Sequence, residues 1–164
     1  MLVRTAQIED LPELLEIYNY EVLNGIATFD SIAHTYEMRK AWFDEHNKDH
    51  HPLIVAVDDD GRVAGYASLS SYRPKDSYRP SVELSVYVSK DHRRKGVATL
   101  LMTRILELAK EDDVIHTVVS VITTGNQASV RLHEKFGFTY CGTIHEVGIK
   151  FGKLMSIDNY QLMV

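Results

Sequence analysis

Three groups of residues in this chain have the types and spacing that chemistry needs. The first is Arg93-Arg94-Lys95-Gly96-Val97-Ala98, a basic turn running into an apolar, helix-patterned segment. Free N–H groups at a helix N-terminus, with the helix dipole behind them, form a site for phosphate oxygens. Gly96 and the small Ala98 let a ligand approach the backbone, and the basic side chains add charge at the same end. Cations are unfavourable there, so a bound anion would relieve a conflict, although a solvated charge run on a surface turn leaves the same pattern. The second is Glu83, set among the apolar residues of Val82-Glu-Leu-Ser-Val-Tyr-Val88. It fits either the wet face of a half-exposed strand or a general base that takes a proton from a substrate ammonium. The third is Asn126, Ser129 and His133, spaced i, i+3 and i+7 on one helix face. That stripe of amide, hydroxyl and imidazole suits a polar ligand arm, or the solvated side of an amphipathic helix with Asn126 as its N-cap.

The elements that must position these groups follow from periodicity and turn signals. Leu2 to Thr5 is a short strand, and Asp10 and Pro12 open a helix that carries Leu11, Leu14, Leu15, Tyr18 and Val22 at helical spacing. A second helix spans about Tyr36 to His46. Leu53–Val57 and Val63–Leu69 flank the turn Asp58-Asp-Asp-Gly61 and read as a hairpin. Ser70 to Pro80, with two Arg-Pro pairs, is a loop. Val82 to Val88 alternates cleanly, Val82, Leu84, Val86 and Val88 on one face and Glu83, Ser85 and Tyr87 on the other. Gly96–Lys110 is helical, His116–Ile122 a strand and Asn126–Phe136 helical. The remainder is strand-like, with Gly142, Gly148 and Gly152 marking bulges or turns. The order β-α-α-β-β-β-α-β-α-β-β describes an α/β layer on a largely antiparallel sheet.

Length and composition bound the rest. The 164 residues, without linker or repeat, read as one domain over 1–164. A net charge of −5 argues against a nucleic-acid-coating protein. No apolar run reaches the length of a bilayer span, and the stretch before Tyr18 lacks a signal-peptide core, so no membrane partner and a reduced, cytoplasmic setting are expected. Cys141, the single cysteine, excludes an intramolecular disulfide and reads as a buried small residue. His46, His50 and His51 include an i, i+4 pair. No adjoining Glu completes a zinc motif, so they read as a wet helix end and no metal is expected.

Arg93-Arg-Lys-Gly96-Val-Ala98 fits the Arg/Gln-x-x-Gly-x-Gly/Ala signature of the GNAT-fold acyl-coenzyme A N-acetyltransferases, which the chain resembles over nearly its whole length. TGNQASVRLHEKFGF, from Thr124 to Phe138, is similar to that family's later motif. The combination of ATFD at Ala27–Asp30, VELSVYV, GNxxSxxLHExxGF and VGIKFGK resembles the phosphinothricin (methionine sulfoximine) acetyltransferase group. Several motifs in the right order carry more than one Gly-containing hexapeptide.

The resemblance implies a GNAT fold: a mixed, mostly antiparallel sheet flanked by helices, splayed where the Val82–Val88 strand meets its next neighbour. It implies that acetyl-coenzyme A is the cosubstrate. Its pyrophosphate would lie on Arg93, Arg94, Lys95, Gly96, Val97, Ala98 and Thr99, and its pantetheine arm along the backbone of Val86, Tyr87 and Val88 like an added strand. Asn126 and Ser129 would face the cofactor. Glu83 becomes the base; His133, where many relatives carry a tyrosine, donates a proton to sulfur, binds substrate or orients the cofactor. Arg73 and Lys75 in the preceding loop, with Ser85, Thr28 and Phe29, would line the acceptor side. Relatives usually follow Gly-Lys/Arg with Trp; here Leu154 follows Lys153, and that aromatic wall is missing. The expected reaction is acetyl transfer to the primary amine of a small amino acid of the phosphinothricin, methionine sulfoximine or methionine sulfone type, in a homodimer. Alternatives are another amine (aminoglycoside, polyamine or protein N-terminus) or a non-catalytic coenzyme A sensor.

Overall fold

Apolar runs and alternating segments of the sequence become strands, and the computed structural model, which describes residues 1–164, joins seven of them in one sheet. The chain runs β1 (Leu2–Thr5), α1 (Leu11–Asn24), α2 (Tyr36–Asp44), β2 (Leu53–Val57), β3 (Val63–Ser71), β4 (Ser81–Val88), α3 (Val97–Glu111), β5 (Thr117–Thr123), α4 (Gln127–Lys135), β6 (Thr139–Lys150) and β7 (Lys153–Met163). That is the expected order. In space the strands lie β1-β2-β3-β4-β5-β7-β6. Every neighbouring pair is antiparallel except β4 and β5, which are parallel.

Alternation along β4 assigns each residue to a side. Val82 and Leu84 enter the larger core with Val97, Leu101, Met102 and Ile105 of α3, while Val130, Leu132 and Phe136 of α4 pack against the same cluster. On the opposite face Tyr87 packs against a smaller core formed by Tyr66, Leu14 and Ile17, with Trp42 of α2 beside it. Glu83 and Ser85 share the face of Tyr87.

β4 and β5 pair only through Ser81↔Thr117, Val82↔Val118 and Glu83↔Val119. Beyond that point β4 remains bonded to β3 as far as Val88, and β5 to β7 as far as Thr123, so both inner edges run on without a partner strand. The expected splay is present. The strand-like tail resolves into the β6–β7 hairpin, with register shifts at Tyr140/Gly142 and Ile144/Gly148. Its turn, Phe151-Gly152, has φ of 52° and 72°, the double positive of a tight two-residue hairpin.

Three local expectations are corrected. Asp10 makes no side-chain cap to α1; it is buried, holds Arg4 at 2.7 and 2.8 Å and accepts from the Gln7 amide. His46 and His50 are not a wet helix end. His46 is 6% exposed and ties the Trp42 carbonyl to the Ser70 hydroxyl, and His50 bridges Asp112 and Arg79. Cys141 is exposed, because its side of the edge strand β6 has no layer over it.

Leu101 is fully buried where α3 meets the sheet. Leu101→Ala is expected to lower unfolding free energy by about 2–5 kcal/mol, read by denaturant titration.

Candidate active site

The splay opens a cleft of about 370 Å³ whose walls come from β4 (Leu84–Val88), β5 (Ser120–Thr123) and α4 (Asn126, Ser129, His133), with Ala98, Arg93, Glu21 and Ala27 at its margins. The unpaired strand edges present backbone N–H and C=O groups to this space, and such groups need partners. An extended chain bearing amides can supply them as an added strand does.

At one end stands the N-terminus of α3. Gly96 is its N-cap with φ of 80°, a conformation that favours glycine, and no atom lies within 4 Å of where a Cβ would be. The glycine therefore answers the backbone turn rather than a shortage of space. Without a capping side chain, the first-turn amides of Val97, Ala98 and Thr99 are left for a ligand. Val97 can offer only its amide, since its side chain is in the core. The basic residues separate in role. Arg93 is engaged by Glu21 at 2.7 Å, and Lys95 donates to the Asp91 carbonyl at 2.9 Å. Arg94, with φ of 60°, is exposed beside the free amides.

Glu83 sits at the apex of the split. It is the last β4 residue paired to β5 and lies opposite Ser70 of β3. Burial raises its pKa above the usual carboxylate range, and the charge of Arg73 pulls it partly back. A carboxylate held this way is a competent proton acceptor near neutral pH.

On the α4 wall, the Asn126 side chain accepts from the Ser129 amide, the cap that the sequence suggested, and still faces the cleft. His133 is 6% exposed. Its Nδ1 must donate to the Ser129 carbonyl at 2.7 Å, so Nε2 accepts from the Ser120 hydroxyl at 2.9 Å. Burial lowers its pKa. The neutral ring thus has no spare N–H for a departing thiolate, an arrangement suited to fixing Ser120 and the cleft wall.

Ser85 lines the cleft, whereas Glu83 borders it and the other residues expected on the acceptor side lie outside it. Arg73 and Lys75 line a separate polar cavity of about 250 Å³ with His50, His51 and Arg79, and the Arg73 guanidinium lies 5.0 Å from the Tyr72 ring. Thr28 and Phe29 belong to the α1–α2 loop: the Thr28 hydroxyl meets Tyr18 at 3.0 Å, and Phe29 rests on β6 at Gly148. The Tyr87 ring stacks on Tyr66, leaving its backbone to the cleft. Ser120, Glu21 and Ala27 were not singled out from sequence. Ser120 alternates with apolar neighbours and carries no motif signal, whereas the charge of Glu21 within α1 was a visible cue.

A parallel strand pair opening beside an uncapped helix N-terminus, with a half-buried carboxylate where the strands part, fits an acyl-transferring enzyme of the α/β class. The chain belongs to the acetyltransferase (GNAT) family, whose model matches residues 14–138. It is 39% identical over 98% of its length to an L-methionine sulfoximine/L-methionine sulfone acetyltransferase of Pseudomonas aeruginosa, covering 92% of that protein. It is equally 39% identical to a phosphinothricin N-acetyltransferase of Streptomyces coelicolor, covering 97% of this chain and 94% of the relative. Among solved structures, a phosphinothricin acetyltransferase from Sinorhizobium meliloti in complex with acetyl-coenzyme A superposes with a TM-score of 0.94 at 29% identity, over 99% and 88% of the two chains.

Ala98 lines the cleft and is half-buried. Ala98→Leu is expected to weaken coenzyme A binding by about 1–3 kcal/mol, roughly 5- to 150-fold in Kd by calorimetry, with the unfolding midpoint unchanged.

Proposed function

We propose that this protein acetylates the primary amine of a small amino-acid-like acceptor of the methionine sulfoximine, methionine sulfone or phosphinothricin type, by direct attack in a ternary complex. The observation that carries this is the unpaired, half-buried carboxylate of Glu83 where β4 and β5 part, next to the cleft lined by Leu84–Val88, in a chain 39% identical to acetyltransferases of those acceptors. The acceptor amine is mostly protonated at neutral pH and cannot attack in that form. Glu83, directly or through water, takes the first proton. The amine nitrogen then bonds to the thioester carbonyl carbon, the carbon–sulfur bond breaks, and the sulfur leaves with the electron pair. Of the two protons lost by nitrogen, one ends on sulfur and one in solvent.

The chain's other residues bind and orient. Backbone groups of Val86, Tyr87 and Val88 pair with the pantetheine amides, and one of their N–H groups polarises the thioester carbonyl. The amides of Val97 to Thr99, with Arg94 at hand, receive the pyrophosphate. Lys95 and Gly96 shape the turn, and Arg93, held by Glu21, flanks it. Asn126, Ser129 and His133 hold the opposite wall. Arg73 and Lys75 line the neighbouring cavity, and the Arg73 charge reaches Glu83, so an acceptor carboxylate or phosphinate directed toward that cavity would meet positive charge. Residues 1–164 act as one catalytic domain. A homodimer in the cytoplasm, supported by the family resemblance, is the proposed setting.

The test is thiol release from acetyl-coenzyme A across a panel of amines, beginning with methionine sulfone, methionine sulfoximine and phosphinothricin. Glu83→Gln is expected to lower kcat at neutral pH by about 10²- to 10⁴-fold while coenzyme A affinity survives. The acid limb of kcat/KM, set above the ordinary carboxylate range by burial, should disappear with it. The sign for stability is opposite. A carboxyl whose folded pKa is raised loses folding energy as pH climbs through its ordinary value toward the raised one, so Glu83→Gln should raise Tm at neutral pH. Unchanged turnover in that variant would remove Glu83 as the base.

A further inference from the structure

The segment Val147-Gly-Ile-Lys-Phe-Gly-Lys153 takes no part in the cleft, yet it contains an unusual cation. Lys150 is 2% exposed, and its ammonium is satisfied by backbone alone: the carbonyls of Val22 at 2.7 Å, Thr28 at 3.0 Å and Asp30. Three donors meet three acceptors. Val22 lies in the last turn of α1, where carbonyls lack intrahelical partners and the helix dipole presents its negative end. Thr28 and Asp30 flank Phe29 in the loop that follows. Burial lowers the pKa of Lys150, while the nearby charges of Asp30 and Glu21 oppose that fall.

Two residues earlier, on the same face of β6, is Gly148. A Cβ at Gly148 would come within 2.6 and 2.7 Å of the Phe29 ring. Only a bare backbone lets the ring lie where it does. The same loop is tied from β5 by the Thr123 hydroxyl, which donates to the Ile26 carbonyl at 2.5 Å, and its Ala27 lines the cleft. The loop has little secondary structure of its own, so its position is set by these outside contacts.

We propose that Gly148 and Lys150 are positioning residues of the acceptor site: Gly148 clears the seat of Phe29, and Lys150 pins the carbonyls on either side of it. From outside the cleft, β6 thereby fixes the loop whose Ala27 lines the cleft, and through it the space left for the acceptor's side chain. This rests on the acetyltransferase reading above and assigns to a β6 motif the placement of a loop on the far side of the site.

The experiment is steady-state kinetics of the full chain with methionine sulfone and acetyl-coenzyme A, together with calorimetric Kd for coenzyme A and Tm. Gly148 is not in the left-handed region, so Gly148→Ala disturbs only what its methyl meets. It is expected to raise acceptor KM about tenfold or more, with coenzyme A Kd held within about twofold. Because the effect runs through the ring, Phe29→Ala/Gly148→Ala should behave as Phe29→Ala alone, the non-additivity of residues in contact. Lys150→Met, which leaves the three carbonyls unpaired, should raise acceptor KM in the same way and lower Tm. If Lys150→Met fails to fold, the Gly148→Ala and double-variant arms decide the matter. An unchanged acceptor KM in Gly148→Ala, an equal loss of coenzyme A affinity, or additive single and double variants would overturn the inference. Wild-type protein that releases no thiol with any amine overturns the proposed activity itself, a result visible before any variant is compared.

Discussion

The structure turns on the parting of β4 from β5 after Glu83 and Val119. Each strand keeps its outer ladder, β4 with β3 and β5 with β7, and leaves its inner edge unpaired. Buried backbone polar groups without partners are costly, so a fold that maintains such edges has reserved them for something that is not part of the chain. No other strand can fill the gap, because the sheet order places β7 and β6 beyond β5. The rest of the site takes its position from this split: Glu83 at the apex, the uncapped start of α3 at one end, and α4 along the opposite wall.

Charge distribution reinforces that division. Most buried or half-buried carboxylates are engaged: Asp10 by Arg4, Glu21 by Arg93, Asp112 by His50 and Asp58 by His92. Two buried cations are held without carboxylates. Lys150 is surrounded by carbonyls, and the Arg39 guanidinium lies 3.9 Å from the Tyr18 ring and 3.5 Å from the Trp42 ring while donating to the Tyr66 hydroxyl at 2.7 Å. The consequence is local. On that side of the sheet cation–π and carbonyl contacts act together with Asp30, which holds Tyr18 and His34, and the one charge that Glu83 feels is that of Arg73. The Glu83 pKa is raised by burial, and Arg73 is the one charge that pulls it back.

Much of this was legible in the sequence because periodicity and turn chemistry are local. The alternation of Val82 to Val88 assigned every residue to its face, Asn126 announced a helix start, and the order of elements followed from their spacing. What was not legible depended on contacts distant in sequence. His46 looked like part of a solvated cluster because Ser70, its partner, is 24 residues away. Lys150 carried no signal of its burial in the sequence, because its acceptors lie more than 100 residues earlier. Arg93 and Arg94 read as equivalent until Glu21 distinguished them. Cys141 was misjudged for the same reason, since only sheet order shows that β6 is an edge.

The placement of acid and base groups follows the energetic demand of the reaction. A thiol has a pKa of about 8.5, so a thiolate leaves without full protonation, whereas a primary ammonium has no lone pair until a base removes its proton. The need is therefore for a base at the amine rather than an acid at the sulfur. His133, neutral and locked between Ser129 and Ser120, would have to become charged against burial before it could serve as an acid. Glu83 is already ionisable, already desolvated and unpaired. On the proposed reading, the half-buried and unpaired carboxylate of Glu83 serves the harder proton transfer, and the easier one needs no dedicated acid.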